Sequence, residues 1–324
     1  MNLYPLKFKT IFKEKIWGGE KIKTILNKDF SPLNNCGETW ELSAIQGELS
    51  IVENGFLAGN NIQELIEIYM GDLVGDKVYD KFGIEFPLLI KFIDANDILS
   101  IQVHPDDKLA KKRHKAYGKT EMWYVIDAEK DAEIIIGFKN DIDENTYLNN
   151  LKNGTLKEIL NIEKAKKGDV FYIPAGRVHA IGAGILLCEI QQTSDITYRI
   201  YDWDRKDANG NLRELHTKYA VEAIDYNVYD NNKINYNKKE NVSNKIISCN
   251  YFTTNYINLK KTIRKDYFEI DSFIIYVCLN GKFKITYDNK ETLVSKGELV
   301  LLPAEFDIVE LKPIINSEIL EIYI

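Results

Sequence analysis

Histidine is scarce in this chain, with four among 324 residues. Cysteine is equally scarce, and Cys36, Cys188, Cys249 and Cys278 lie far apart with no CxxC pair. That spacing argues against a disulfide framework and against a thiolate zinc site. Cys188 and Cys278 sit inside apolar strand runs and read as inert core thiols. No apolar run approaches membrane-spanning length. The stretch from Met1 to Trp17 alternates charged and apolar residues and lacks the apolar segment of a signal peptide. These absences indicate a cytoplasmic protein with no membrane partner. An excess of positive charge is missing too. The net charge of -7 argues against a general nucleic-acid surface. A small anionic substrate stays compatible, because a local cluster of cations overrules a mild global charge.

What is present is an ordinary apolar fraction, 45%, enough for a sizeable core. Strand patterns outnumber helical ones. Short runs rich in Ile, Val, Tyr and Phe cover Phe86 to Phe92, Leu99 to Val103, Met122 to Ile126, Glu133 to Phe138, Asp169 to Ile173 and Gly184 to Gln191. Gly, Pro, Asn or Asp bound them. Helical periodicity appears in islands. Ile62, Leu65, Ile66 and Tyr69 share one helical face, and Asn61 with Glu64 is a start signal. A second island runs from Glu144 to Leu160 with a break at Gly154, and a third from Thr217 to Ile224. The Asn-, Lys- and Asp-rich stretch 226–244 reads as a linker. It separates a first β-unit, 1–225, from a second, 245–324.

A weak internal repeat supports two related units. Lys167 to Ala175 resembles Lys296 to Ala304, each a turn, a strand and a proline stop. Repeated strand units of this kind suit jelly-roll barrels. The second copy carries Ile308 where the first carries His179, so the C-terminal unit has no equivalent ligand there.

Two of the four histidines lie near strand ends, in Ile101-Gln102-Val103-His104-Pro105 and in Pro174-Ala175-Gly176-Arg177-Val178-His179. Residues at i and i+2 share a strand face, so Gln102 and His104 point the same way. Glu121 and His179 join them from adjacent strands. Zinc accepts imidazole nitrogen and carboxylate oxygen and leaves an open position when protein ligands are few. The softness of this set also admits cobalt or manganese. Gln102, as a carboxamide, is the weakest member. Lys119 and Ser100 stand two residues before Glu121 and Gln102, and so share their faces. His114, in a solvated Lys-rich stretch, and His216, at a helix start, read as structural.

Several blocks resemble, in order, the type I phosphomannose isomerases of the short bacterial form. They are Trp17-Gly18-Gly19, Gly37-Glu38-Thr39-Trp40-Glu41-Leu42-Ser43, Phe86 to Lys91 running into Leu99 to Pro105, Lys119 to Tyr124, the Pro174 to Gly184 loop, and Gln191 to Arg205. The resemblance is dense over the first two-thirds and is only general strand character beyond. It implies a mainly β, cupin-type double β-barrel (jelly roll) with helical insertions and one catalytic Zn2+ per chain. It implies Gln102, His104, Glu121 and His179 as the metal ligands, Arg199 as a catalytic residue, and Ser100 and Lys119 as contacts to a sugar phosphate. The longer family members often carry a histidine just before the lysine, where this chain has Gly118.

Such an enzyme interconverts mannose 6-phosphate and fructose 6-phosphate by moving a proton between C1 and C2. Glu41, Glu189 and a metal-bound hydroxide are candidate bases. Arg199 stays protonated and is suited to steadying an enediolate. Two other classes fit parts of the pattern. A cupin oxygenase on iron uses His and carboxylate ligands but gives Lys119 and Ser100 no role. A non-catalytic sugar-binding or regulatory protein of the same fold leaves the intact ligand set and Arg199 unused.

Overall fold

The computed structural model describes residues 3–206, 210–229 and 232–324. The chain opens with β1 (Ile11–Lys13), α1 (Lys21–Thr24), β2 (Glu38–Leu42), α2 (Ile62–Val74), α3 (Asp76–Phe82), β3 (Leu88–Ala95), β4 (Ile101–Val103) and α4 (Asp107–His114). It continues through β5 (Glu121–Ala128), β6 (Glu133–Phe138), α5 (Glu144–Asn153), α6 (Leu156–Ile159) and β7 (Leu160–Lys164). Then come β8 (Val170–Ile173), β9 (His179–Ile181), β10 (Ile185–Gln192), β11 (Tyr198–Tyr201) and α7 (Thr217–Ala223). The rest is strand: β12 (Ser243–Ser248), β13 (Thr253–Leu259), β14 (Ile263–Asp266), β15 (Ile274–Tyr287), β16 (Lys290–Ser295), β17 (Leu299–Leu302) and β18 (Ile308–Tyr323).

Three sheets form. Their orders are β1-β2-β3-β10-β5-β8, β11-β4-β9-β6-β7, and β12-β13-β18-β15-β16 with β14 on β18 and β17 on β15. The expected cupin-type, mainly β architecture is present. Its sheets, however, are separate and open in their hydrogen bonding, so the units are jelly rolls of facing sheets and not closed cylinders.

The strand period of two sorts side chains between faces. On β5, Trp123 and Val125 join Ile93, Ile134, Ile136, Phe171, Ile173, Ile181, Ile185 and Leu187 in the space between the first two sheets. The alternate residues Met122, Tyr124 and Ile126 turn the other way, into a core shared with α2 and the C-terminal sheet. The outer face of the five-stranded sheet is covered by α5, α6 and α7, with Tyr147, Leu156 and Ala220 packed on Ile101, Val103 and Ala180. These three helices therefore cap the outside of the five-stranded sheet and leave the inter-sheet space to strand side chains.

Local signals act as their chemistry dictates. The Asn61 side chain accepts from Glu64 N, and the Glu64 side chain accepts from Asn61 N, closing a capping box on α2. Gly154 ends α5 in the left-handed conformation, and Leu160 opens a strand instead of closing the helix. The repeated segments are structural counterparts. Gly168 and Gly297 both turn at φ +81°, a conformation glycine adopts without strain, and β8 and β17 follow. Among the described residues of 226–242 there is no helix or named strand. The stretch is nevertheless tied to β8: Ile234 N donates to Val170 O at 2.8 Å, and Phe171 bridges to Lys233.

Candidate metal centre and substrate cavity

The inter-sheet space is apolar at one end and charged at the other. The same alternation that buries Trp123 and Val125 places Glu121 on that face of β5. His179 shares a face with Ile181 on β9, and it pairs directly across the sheet with Gln102 of β4. His104 follows β4 and is 1% exposed; Glu121 and His179 are fully buried. One donor atom from each of these three residues lies within 4.8 Å of the other two.

The geometry suits a single ion. His104 Nε2 is 3.6 Å from Glu121 Oε2, and His179 Nε2 is 3.4 Å from Glu121 Oε1. Gln102 Nε2 is 3.2 Å from His179 Nε2, and the amide turned over presents Oε1 to the same point. Tetrahedral ligands at about 2.0–2.1 Å from zinc stand about 3.3 Å from one another. Both rings are oriented from behind: His104 Nδ1 donates to Ile196 O and His179 Nδ1 to Arg177 O, each at 2.8 Å. Each ring so held turns its Nε2 lone pair toward the site. His104 Nε2 and both Glu121 oxygens are buried without an aligned hydrogen-bond partner. The Lys119 ammonium, 3.1 Å from Oε2, meets one side of that carboxylate, and Oε1 with His104 Nε2 is left for a further cation. Burial lowers the affinity of both histidines for protons, His179 to about 4, which favours the neutral, ligating form. Burial also raises Glu121 to about 7 against the opposing pull of Lys119. The donor set, its spacing and its unmet lone pairs fit a divalent metal.

Beside this group opens a cavity of about 360 Å³. Lys15, Lys91, Lys119, Arg199 and Arg213 line it, against Glu38, Glu189 and Asp195. An acidic protein has thus gathered a local excess of cations. Ser100, Gln102, Lys119 and Arg199, all predicted from sequence, line the cavity together. Lys119 Nζ is 3.1 Å from Glu121 Oε2, so its ammonium stands at the metal-capable end of the cavity. Burial works against that charge, but Glu121 and Glu189 outweigh it and raise Lys119 above an ordinary lysine. Arg199 pairs with Gln102 across β11 and β4. Its guanidinium donates to Glu214 O at 2.9 Å, while Nε has no partner. His216 has a part the sequence did not suggest: its Nδ1 accepts from Arg199 N at 3.2 Å.

Glu41 is placed elsewhere. Residues 39 and 41 of β2 face away from 38 and 40, and Glu41 is ion-paired with Lys28 at 2.9 Å in a different cavity. It is withdrawn as a candidate base. Glu38 is the β2 carboxylate that lines the site, with Trp40 Nε1 donating to it at 2.9 Å. Lys91 and Lys15 overcome its burial and hold it down at about 2. Lys91 was missed in the sequence. A lone lysine inside the fully buried run Leu88–Ala95 was the available signal, and its cross-strand partner is Glu189. Those two are 3.3 Å apart, and Trp123 Nε1 donates to Glu189 Oε2 at 2.8 Å. Burial raises Glu189, but Lys119 and Lys91 prevail and keep it below an ordinary glutamate. Gly118 has no room for a side chain: an added Cβ meets Asp106 C and Asp107 N at 2.6 Å.

Fold and site together define a cupin-type protein with a metal-capable His–Glu–His group at the wall of a cationic cavity. Residues 5–147 match the phosphomannose isomerase type I catalytic domain, and residues 242–317 match the mannose-6-phosphate isomerase cupin domain. The chain is 38% identical over 312 residues to mannose-6-phosphate isomerase ManA of Bacillus subtilis, covering 94% of each. It is 34% identical to a mannose-6-phosphate isomerase of Streptococcus mutans, covering 92% of each. A crystal structure of the mannose 6-phosphate isomerase from Bacillus subtilis superposes with a TM-score of 0.89 over 99% of both chains, at 32% identity. The chain belongs to the type I phosphomannose isomerase family and is an enzyme of that class.

Proposed function

We propose that the protein is a zinc-dependent aldose–ketose isomerase interconverting D-mannose 6-phosphate and D-fructose 6-phosphate. The observation that carries the reading is the contact between two features. A buried His104–Glu121–His179 group with unmet lone pairs is joined, through Lys119 and Gln102, to a cation-rich cavity of about 360 Å³. Gln102, His104, Glu121 and His179 would hold one Zn2+. When bound, the ion supplies Lewis-acid polarisation of the substrate's carbonyl and hydroxyl oxygens.

The chain's own groups do the rest. Ser100 and Lys119 bind substrate oxygens, and the surplus of cations draws in the phosphate. Glu189 is the carboxylate suited to exchanging the proton between C1 and C2. It lines the cavity, the Trp123 indole fixes its Oε2, and its Oε1 is met by the Lys91 ammonium at 3.3 Å. Lys91 and Lys119 keep it ionised, the form that accepts a proton. Arg199 stays charged and steadies the enediolate as it forms. The apolar packing behind Trp123 limits water at the reacting carbons.

In this reading residues 1–225 carry the chemistry, 226–244 join the units, and 245–324 form a companion unit without metal ligands. Action in the cytoplasm suits four cysteines that are all unpaired. Among the described residues no helix is long and apolar enough to cross a membrane. The test is direct. Purified protein given mannose 6-phosphate should accumulate fructose 6-phosphate by NMR, and should carry about one zinc per chain. Tight sugar-phosphate binding without turnover would remove the enzyme reading.

A further inference from the structure

The short segment that carries Lys119 is fastened from several sides, and one fastening comes from the C-terminal sheet. Gly118 N donates to Asp107 Oδ1 at 2.8 Å, Lys119 N to Pro105 O at 3.1 Å, and Thr120 N to Gln192 Oε1 at 2.8 Å. Gln192 Nε2 donates to the same Asp107 Oδ1 at 2.9 Å. Tyr251 OH donates to Asp107 Oδ2 at 2.8 Å. Asp107, at the start of α4, thereby joins three other parts of the chain: the segment before Glu121, the end of β10, and the turn between β12 and β13. It is not occupied in capping its helix, because Asp106 does that, accepting from Leu109 N at 2.7 Å.

We propose that Asp107, braced by Tyr251 from the C-terminal unit, is a positioning residue that fixes the backbone of Gly118–Thr120 and so sets the ammonium of Lys119 in the substrate cavity. The inference rests on the reading of Lys119 as a substrate contact. It also gives the C-terminal unit a part in the site: the unit supplies a strut. The buried Lys119 ammonium hangs on a flexible four-carbon stem, so its placement depends on a fixed backbone beneath it. The two Asp107 oxygens accept from Gly118 N, from the Gln192 amide that in turn tethers Thr120, and from the Tyr251 hydroxyl.

Three variants of the full-length enzyme test it, with kinetics on mannose 6-phosphate, zinc content, melting temperature and amide hydrogen exchange at Gly118 and Thr120. Asp107→Ala should raise KM about ten- to a hundredfold, the cost of a hydrogen bond to a charged group, with a smaller change in kcat. Asp107→Asn keeps an oxygen for Gly118 and Gln192 and an amide for Tyr251, so it should restore most of the KM. Tyr251→Phe should raise KM about three- to tenfold, speed exchange at both amides, and leave zinc content and melting temperature close to the parent's. Unchanged KM and exchange in Asp107→Ala and Tyr251→Phe would overturn the strut. So would a joint loss of zinc and kcat in Tyr251→Phe, which marks a general structural role. If the parent proves inactive, the proposed function fails, and the exchange rates alone decide whether the strut exists.

Discussion

His104 and His179 stand with ring centroids 4.8 Å apart, each tethered through Nδ1 to a backbone carbonyl and each turning Nε2 toward the Glu121 carboxylate. Neither ring is free to swing away, so both Nε2 atoms are held in place beside Glu121. His104→Ala and His179→Ala should each bind at most a small fraction of the parent's zinc and lose turnover together with it. Metal analysis alongside an isomerase assay reads both. A fully metallated, active variant would strip that histidine of its ligand role.

Glu189 is predicted to act in proton exchange and not in metal binding. Glu189→Gln keeps the shape, still accepts from the Trp123 indole, and removes the basic oxygen. It should keep zinc and lose about 10²–10⁴-fold in kcat. Exchange of the substrate's C2 hydrogen with deuterium oxide should slow in step. A variant with near-parental exchange would move the proton-transfer role to another group.

Lys119→Met and Arg199→Ala separate binding from stabilisation. Lys119→Met should weaken mannose 6-phosphate by the worth of a charge-assisted hydrogen bond, about 1.5–3 kcal/mol, seen chiefly in KM. Arg199→Ala should keep zinc and lose about 10²–10³-fold in kcat, the usual effect of deleting one donor to a developing anion. An unchanged KM in the first, or a surviving kcat in the second, would remove that residue from the site.

Asp94 gives the fold a pH dependence of its own. It is fully buried; Lys21 N donates to Oδ2 at 2.6 Å, and Oδ1 has no partner. Burial raises its pKa to about 6; Lys21 pulls the other way, and Glu129 adds to the rise. Between about pH 4 and pH 6 the folded state then holds a proton that the unfolded state releases. Its contribution to stability is therefore present at about pH 4 and lost as pH rises through 6. Asp94→Asn cannot ionise and should lack that portion of the slope, a difference of about 2–3 kcal/mol across the window. Urea unfolding at pH 4 and pH 7 measures it, and parallel pH profiles for parent and variant would contradict it.

Much of the site was legible because strand geometry is simple. Gln102, His104, Glu121 and His179 stand out as polar residues in apolar alternation, and the period of two puts them on one face. Ser100 and Lys119 follow by the same parity. Glu38 and Lys91 were harder. Lys91 is the one lysine in a largely apolar run, and only the register opposite Glu189 shows that the two charges share the cavity. That Glu38 and not Glu41 faces the cavity is not readable from the sequence, because one-residue parity on β2 is invisible without knowing which face is inward. Asp107 and Tyr251 were beyond reach: 144 positions separate them, and no local pattern links a turn in one unit to a helix start in another. Whether the barrels close was not readable either, since closure depends on edge pairing that composition does not encode.

The most direct test is metal titration of chelator-treated protein while mannose 6-phosphate conversion is followed. The account predicts that stripped protein is inactive, that activity returns linearly with added zinc, and that it levels off at one equivalent. Full turnover by metal-free protein, or zinc binding that leaves His104→Ala and His179→Ala unaffected, would contradict it.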